Sequence, residues 1–539
     1  MFHDNPEWTK GSATNEFIVR KYNFFLFPPA NNNYTREVTM NPSSVAFLNE
    51  HAMNFDLWTK QGVGFVTGDV AESILAKYKK QRQMQEQQNK ASADETRRNI
   101  ELTRTEDVHF HARAMASLRE WIDMARAPDN GSEGSSFLLP PCNAFLRRAL
   151  YESINSEYPS LLVEKHMNQI RVLRMNQVEQ DARQERLAME SWDSVIMDLG
   201  FWRVFYAISM ANKGFEVKNH LALAKSYSDV PLEGTPVLVP LDRQIPVAVH
   251  NGLMDLLFLM THLHAHKLPD TLYETKQLIK SYFPLLYDTK TLSTECYRQE
   301  QNTELGNLYL KLVAEDPNAV RKFHVISDEG DQPHEASYDA FMTGAIFCRL
   351  LQLIGQDLPE FSDGPNALPL ASLDRTRFGR NKIHLMQTMY TVDLEEAVDP
   401  LSRGMSAATT FRVGGSDPSV TTRDIVRCLT NLSNDDSVRV HFEIVWVDDT
   451  TFLVAARDVE NPETLQAQGV QILRALTDRF TNASICTLEE HFKKQNKPVA
   501  AIPFSWTRSI LEWLGVKRIR EEGKGLEGEP FAKRQRTQE

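Results

Sequence analysis

Apolar positions along this chain change their period several times, and each change marks an element. Residues 16–27 alternate and then run apolar up to Pro28-Pro29, which predicts one or two strands of a central sheet. Residues 41–48 read as a helix capped by Ser43 or Ser44, and residues 54–65 as a turn and short connection. Residues 70–107 are charged and Gln-rich, the pattern of a long solvated helix and linker. Helical spacing returns over 109–121 and, after a Gly/Ser-rich loop, over 141–158. A charged helical connector (177–190) and an amphipathic helix (198–208) follow, and 212–244 reads as an insertion. Residues 245–249 then read as a buried strand, His250-Asn251-Gly252 as a turn, and the next apolar run as a helix carrying Asp255. His334 and Asp339 stand where another apolar helix begins, and residues 385–399 read as a short connector, apolar and then acidic. Beyond residue 407 the order is strand, helix, strand, strand, helix, strand, which predicts a βαββαβ unit. Residues 504–513 read as a short docking helix.

Composition narrows the class. A chain of 539 residues with 42% hydrophobic and 24% charged residues suits a globular protein of three or four domains. It has no apolar run of about 18 residues, so no membrane partner is expected. Its first residues lack the apolar centre of a signal peptide. Cys142, Cys296, Cys348, Cys428 and Cys486 are scattered, which argues against structural zinc and disulfides and for a reducing compartment. A net charge of −12 counts mildly against nucleic-acid binding. A local basic groove is nevertheless enough to hold a few single-stranded nucleotides.

Two acidic residues carry the candidate chemistry. Asp255 lies in an apolar run, where a carboxylate is costly to bury unless something pairs it, and a metal can. The alternative is a carboxylate favoured by the helix macrodipole. At the second helix start Asp339 can hold a divalent metal while His334 takes a proton from a metal-bound water. The alternative there is an N-terminal cap and a surface histidine.

Together these segments resemble the third and fourth acidic motifs of the DEDD 3′-exonucleases, and His334-x-x-x-x-Asp339 resembles their histidine subclass. Between them, Phe283-Pro284-Leu285-Leu286-Tyr287-Asp288-Thr289-Lys290 is similar to the Phe-Pro-x-x-x-Asp-Thr-Lys segment of deadenylases. Over residues 17–494 the chain resembles the poly(A)-specific ribonuclease family, in the branch with an R3H insert and a C-terminal RNA-recognition domain.

The resemblance implies an α/β (α+β) fold with an RNase H-like DEDD core. It implies core residues 1–106 and 175–400, an R3H-like insert at 107–174, an RNA-recognition-like unit at 401–494 and a tail at 495–539. The family's first motif, Asp-x-Glu, is not matched. Asp4-Asn5-Pro6-Glu7 has the wrong spacing, and Pro6 disfavours a central strand, so the core is expected to lack its first strand.

By resemblance the catalytic residues are His334, Asp255 and Asp339. The two aspartates are metal ligands, and a complete site holds two divalent ions, Mg²⁺. His250 and Lys290 position the 3′ end of the RNA, and Trp446 stacks on the methylated guanine of an mRNA cap. A tryptophan packed on the domain edge is the other reading of Trp446. Arg147, Arg148 and Tyr151 read either as RNA contacts or as helix surface with a core tyrosine. Phe452 is the only obvious base stacker on its strand, so ordinary stacking on that sheet is not expected.

The implied activity is 3′-to-5′ exoribonucleolytic shortening of poly(A), releasing 5′-AMP, by a homodimer. The alternatives are a catalytically inactive RNA- or cap-binding homologue and a trimmer of other RNA 3′ ends. The basic clusters Lys517-Arg518-Ile519-Arg520 and Lys533-Arg534-Gln535-Arg536 suggest nuclear import, hence nucleus and cytoplasm.

Overall fold

A computed structural model of the chain describes residues 2–4, 16–28, 38–50, 53–94, 102–124, 136–174, 177–218, 220–231, 234–296, 303–315, 322–325, 335–356, 379–386, 388–430, 442–457 and 462–495. These fall into two compact units, Tyr22–Ile245 with Leu259–His266, and Met1–Lys21 with Pro246–Phe258 and Lys267–Glu539. No described helix is long and apolar enough to cross a membrane. His334 and the basic clusters of the tail lie outside the described residues, as does the expected helix at 504–513.

The unit containing Tyr22–Ile245 is mainly helical. Its helix Gly68–Asp94 is charged over most of its length, yet Ala71, Ile74 and Tyr78 form a buried stripe at helical spacing. The Tyr78 hydroxyl donates to the Pro231 carbonyl at 3.0 Å, and its ring tilts on Trp192. Helix Gln177–Leu199 buries Ala188, Trp192, Ile196 and Leu199 on one face. Gly200 ends that helix at φ +53°, and a Cβ there would meet the Gly64 carbonyl oxygen at 1.9 Å, so only glycine fits.

The helix expected over 198–208 is broken at Gly200 and runs instead over Trp202–Asn212, and two further expectations fail in this unit. Residues 54–65 are not a simple turn, because Asn54 caps a helix, Phe55–Gln61, by accepting from the Leu57 N–H at 2.8 Å. Helix Pro42–Glu50 is held at its start by Asn41, whose side chain accepts from Ser43, and not by Ser43 or Ser44. Pro42 occupies the first helical position, where its missing N–H costs nothing, and this places the cap one residue before it.

Residues 105–174 have a core of their own. Helices Thr105–Met124 and Ala144–Glu157 contribute Ala114, Met115, Leu118, Leu150 and Ile154, which pack on Ile170 and Val172. A three-stranded antiparallel sheet backs them, with Gln169–Arg174 between Ser136–Leu138 and Leu161–His166. Tyr151 packs against this core, while Arg147 donates to the Met167 carbonyl and Arg148 pairs with Glu152.

In the other unit, strand Glu16–Val19 pairs antiparallel with Phe2–Asp4 and parallel with Lys322–Val325. Among the described residues the expected central sheet is therefore divided, since a second parallel pair stands apart. That pair is β1 (Val247–Val249) and β2 (Leu286–Asp288), separated by α1 (Leu253–Leu263) and α2 (Leu272–Tyr282). The apolar face of α3 (Ala336–Gln356) packs there through Ile346, Phe347 and Leu350 against Leu285 and Tyr287.

The stretch 385–399 is a correction. It belongs to a buried hairpin of β3 (Lys382–His384) and β4 (Thr391–Asp393), not to a connector. Asn381, at φ +57°, docks this hairpin onto β2. Its side chain accepts from the Leu286 N–H at 2.9 Å, and its own N–H donates to the Leu286 carbonyl at 2.8 Å, so it stands in for a strand neighbour. A buried ion pair, Lys276–Asp399 at 2.9 Å, ties the hairpin to α2.

The expected βαββαβ order is observed: β5 (Thr410–Gly414), α4 (Thr422–Thr430), β6 (Phe442–Asp448), β7 (Thr451–Ala456), α5 (Pro462–Arg479) and β8 (Ser484–Thr487), followed by α6 (Leu488–Gln495). The strands lie in the antiparallel order β6-β7-β5-β8. One face, with Phe411, Val413, Phe452 and Val454, packs on Ile425, Leu429, Ile472 and Leu476 of the two helices. The opposite face, with Val445, Leu453 and Ala455, is covered by Leu488 and Phe492 of α6 and by Met389 and Tyr390 of the hairpin.

Candidate active site

Parallel strands leave their carboxyl ends open, and in α/β proteins ligands bind there. The β1–β2 register sets Val249 opposite Asp288, so the next residues, His250 and Thr289, leave the pair side by side. His250 Nδ1 and Thr289 Oγ1 are 2.9 Å apart. The chain turns after His250 through Asn251 at φ +53° and Gly252. A Cβ on Gly252 would lie 2.5 Å from that of Val249, so this tight turn requires glycine.

Asp288 holds the corner together. Its fully buried carboxylate accepts four main-chain N–H groups, from Asn251 and Lys290 at 2.9 Å, His384 at 3.0 Å and Gly252 at 3.4 Å. Burial pushes its pKa up to about 6, and those donors oppose the rise. His250 and His384 are both pushed down to about 4, chiefly by burial and then by the Lys290 charge. At neutral pH the corner thus presents two neutral imidazoles beside one ammonium.

Asp255 and Asp339 each stand in the first turn of a helix, α1 and α3, where the helix dipole favours a carboxylate. The Asp255 side chain reaches solvent, yet desolvation by the surrounding protein still raises its pKa. Asp339 is half-buried, and its N–H donates to the Glu335 carbonyl at 2.9 Å. Helix α3 packs on β1, the strand that leads into the Asp255 helix.

Among the described residues no group of three or more His, Cys, Asp and Glu side chains is arranged to hold a metal ion. The ligands that the resemblance assigns, Asp255 and Asp339, are two carboxylates, too few to hold a close pair of divalent ions. They therefore do not by themselves fit the two-metal site that the resemblance implies.

The structure brings His250 and Lys290 together and adds residues that the sequence reading did not assign, Asp288, Thr289 and His384. Asp288 was visible inside the Asp-Thr-Lys segment. His384 carried no signal, because its approach depends on the hairpin. Trp446 lies on β6 of the four-stranded sheet. It is half-buried on the helix side of the four-stranded sheet, tilts on Phe452 with ring centroids 5.0 Å apart, and donates from its indole N–H to Thr422 Oγ1 at 2.9 Å.

The sequence model of the CAF1 family ribonucleases matches residues 7–347, more than half of the chain. The chain belongs to the CAF1 ribonuclease family. Nucleases of the CAF1 family generally use divalent metals. Its curated relatives include the poly(A)-specific ribonuclease PARN of Xenopus laevis, 22% identical over 532 residues, covering 94% of this chain and 73% of that protein. Human PARN is 23% identical over 526 residues, covering 94% and 72%. The poly(A)-specific ribonuclease PNLDC1 of Mus musculus is 23% identical over 357 residues, covering 64% of this chain and 57% of the relative. The chain thus spans less than two thirds of that mouse relative.

Proposed function

We propose that this CAF1-family protein is a 3′-to-5′ exoribonuclease that shortens poly(A) and releases 5′-AMP. The observation that carries the reading is the corner at the carboxyl ends of β1 and β2, where Asp288 fixes the main chain beneath His250 and Lys290. In this reading Lys290 meets a phosphate, while neutral His250 hydrogen-bonds the 3′-terminal nucleotide. The family's use of divalent metals makes Mg²⁺ the ion of choice, with Asp255 and Asp339 among its ligands and His334 as the general base. The two-helix, three-strand module at 107–174 is assigned as R3H-like, and the βαββαβ module as RNA-recognition-like. Trp446 is assigned to an mRNA cap, because its indole stays half-exposed. A homodimer is assigned by resemblance, and distribution between nucleus and cytoplasm by the basic clusters of the tail.

The test is 5′-labelled oligo(A) incubated with Mg²⁺. Stepwise shortening from the 3′ end with release of 5′-AMP is expected. Asp255→Asn should abolish it, and His334→Ala should slow it by roughly 10²–10⁴-fold with little change in RNA affinity. The second reading is an inactive RNA- or cap-binding homologue. Tight oligo(A) binding without shortening under any divalent ion would select it.

A further inference from the structure

The segment expected to form a docking helix has no role in the active site described above. Its Trp506, Ile510, Trp513 and Leu514 recur at i, i+4, i+7 and i+8, one face of a helix, while Arg508 and Glu512 fall on the other. Ser505 stands before this pattern and Gly515 after it, residues favoured at the two caps. So short a helix is marginal by itself and gains its stability from packing of its apolar face.

The βαββαβ module exposes a groove that matches this face. It has a volume of about 410 Å³ and lies between α5 and the start of β5, with Phe411, Leu465, Gly469, Val470 and Leu473 among its walls. None of the described residues that line it is charged. On α5, Gln466, Gly469, Val470 and Leu473 follow i, i+3, i+4 and i+7, and Val470 is 66% and Leu473 37% exposed. Exposed apolar residues grouped along a groove mark a contact surface. From Gln466 to Leu473 α5 rises about 11 Å, and a helix over 506–514 rises about 12 Å.

The chain leaves the described residues close to this groove. Thr487, the residue before α6, lines it, and α6 ends at Gln495. Helix α6 rises about 12 Å, and residues 496–503 span up to about 26 Å when extended. Strand β8 is at the edge of the sheet, so the chain can pass around it from the α6 face to the α5 face without crossing another strand. We infer that residues 506–514 dock as a helix into the groove between α5 and β5 of their own chain. So short a linker gives an effective concentration of about millimolar, which favours this occupant over a second copy or a free partner. Docking fixes the tail to the βαββαβ module up to Leu514, three residues before the first basic cluster begins at Lys517. The inference is independent of the exonuclease reading.

The experiment is hydrogen–deuterium exchange of the full chain. Backbone amides of 506–514 should exchange about tenfold or more slowly than those of an unstructured chain. Leu473→Asp and Val470→Asp, both at exposed positions of α5, should remove that protection and leave the amides of β5 and β7 protected. Ile510→Asp, outside the module, should remove it too and raise exchange over Gln466–Leu473. Ile510→Leu, and Arg508→Ala on the polar face, should keep it. An equimolar mixture of Leu473→Asp and Ile510→Asp chains should stay unprotected, because neither chain has both halves of the contact. Protection restored in the mixture assigns the groove to the segment of a second copy and overturns the inference. Parental protection in both α5 variants puts the segment elsewhere, and unprotected amides in the parent leave the groove to a foreign partner; either result overturns it. If the α5 variants also lose protection over β5 and β7, Ile510→Asp decides: unchanged exchange over Gln466–Leu473 overturns the inference, and faster exchange there upholds it.

Discussion

The parallel pair β1–β2 and the four-stranded sheet β5–β8 use strands in opposite ways. The pair is short, three residues in each strand, and its carboxyl ends lead straight into His250 and Thr289-Lys290. Besides the apolar packing of α3 on Leu285 and Tyr287, it is held by polar groups, namely one buried carboxylate with four N–H donors and an asparagine acting as a strand neighbour. The larger sheet is held by two apolar cores, one on each face. Open strand ends with a polar anchor can position ligands; a sheet sealed on both faces can only be a platform. Phe452 makes the point, because it faces the helices and is fully buried, so it cannot stack on a base.

The strongest way to break the contrast is to remove the polar anchor. Asp288→Ala leaves four buried N–H groups without their acceptor and should cost about 3–5 kcal/mol in urea unfolding. Oligo(A) affinity should fall with it, because His250, Lys290 and His384 lose their common support. Asp288→Asn keeps the shape but turns an amide toward some of those donors, so a smaller loss is expected. An unchanged urea midpoint in Asp288→Ala would show that the corner does not depend on this carboxylate.

The sealed face is tested with Leu488→Ala. Leu488 is 2% exposed and caps the face opposite α4 and α5, so the cavity should cost about 2–3 kcal/mol. Loosening α6 should leave RNA affinity unchanged if the sheet is only a platform. A gain in RNA affinity would mean that α6 masks a working RNA surface.

A third test uses pH. His250 and His384 are held near 4, below their ordinary 6.5, so their contribution to stability is present above pH 6.5 and is lost as pH falls through 6.5 toward 4. Each should account for a loss of about 2 kcal/mol between about pH 7.5 and pH 5. Asp288, raised to about 6, acts in the opposite sense. Its contribution is full below 3.8 and is lost as pH rises through 6, so acidification recovers part of the loss. Urea titrations of the parent and of His250→Asn/His384→Asn at both pH values should show a shallower pH dependence in the double variant. Equal dependence in the two would remove the histidines from this account.

What could be read in the sequence was what depends on near neighbours. The strand, turn and helix around Asp255 followed from an apolar run interrupted by Asn251-Gly252, although the strand is only Val247–Val249 and half-buried, with Ile245 exposed, and the βαββαβ order followed from alternation and spacing. The failures share a cause. His384 meets Asp288 across 96 residues, and the hairpin that carries it is seated by Met389 and Tyr390, which are buried against a sheet formed later in the chain. An apolar stretch with no period of its own reads as a connector until its partner is known. Asn381 escaped notice because a left-handed asparagine pairing with a strand leaves no pattern. The buried stripe of Gly68–Asp94 was present in the sequence, but surrounding charge outweighed its three apolar positions.

The smallest expected effect concerns Trp446, which sits on the border between the two kinds of region. It belongs to the apolar core by its contact with Phe452, yet it is half-exposed and ends in a polar contact with Thr422. If the exposed part of the indole stacks on a methylated guanine, a cationic ring over an aromatic face, Trp446→Ala should weaken cap-analogue binding to the full chain by about 1–2 kcal/mol. Trp446→Phe keeps a stacking face but loses the N–H bond to Thr422, and it should retain most of the affinity. Calorimetric titration with a cap analogue and with unmethylated GTP separates stacking on a cation from general nucleotide binding. A fall in unfolding temperature with no cap binding in the parent would make Trp446 a packing residue, and the border would then belong wholly to the platform.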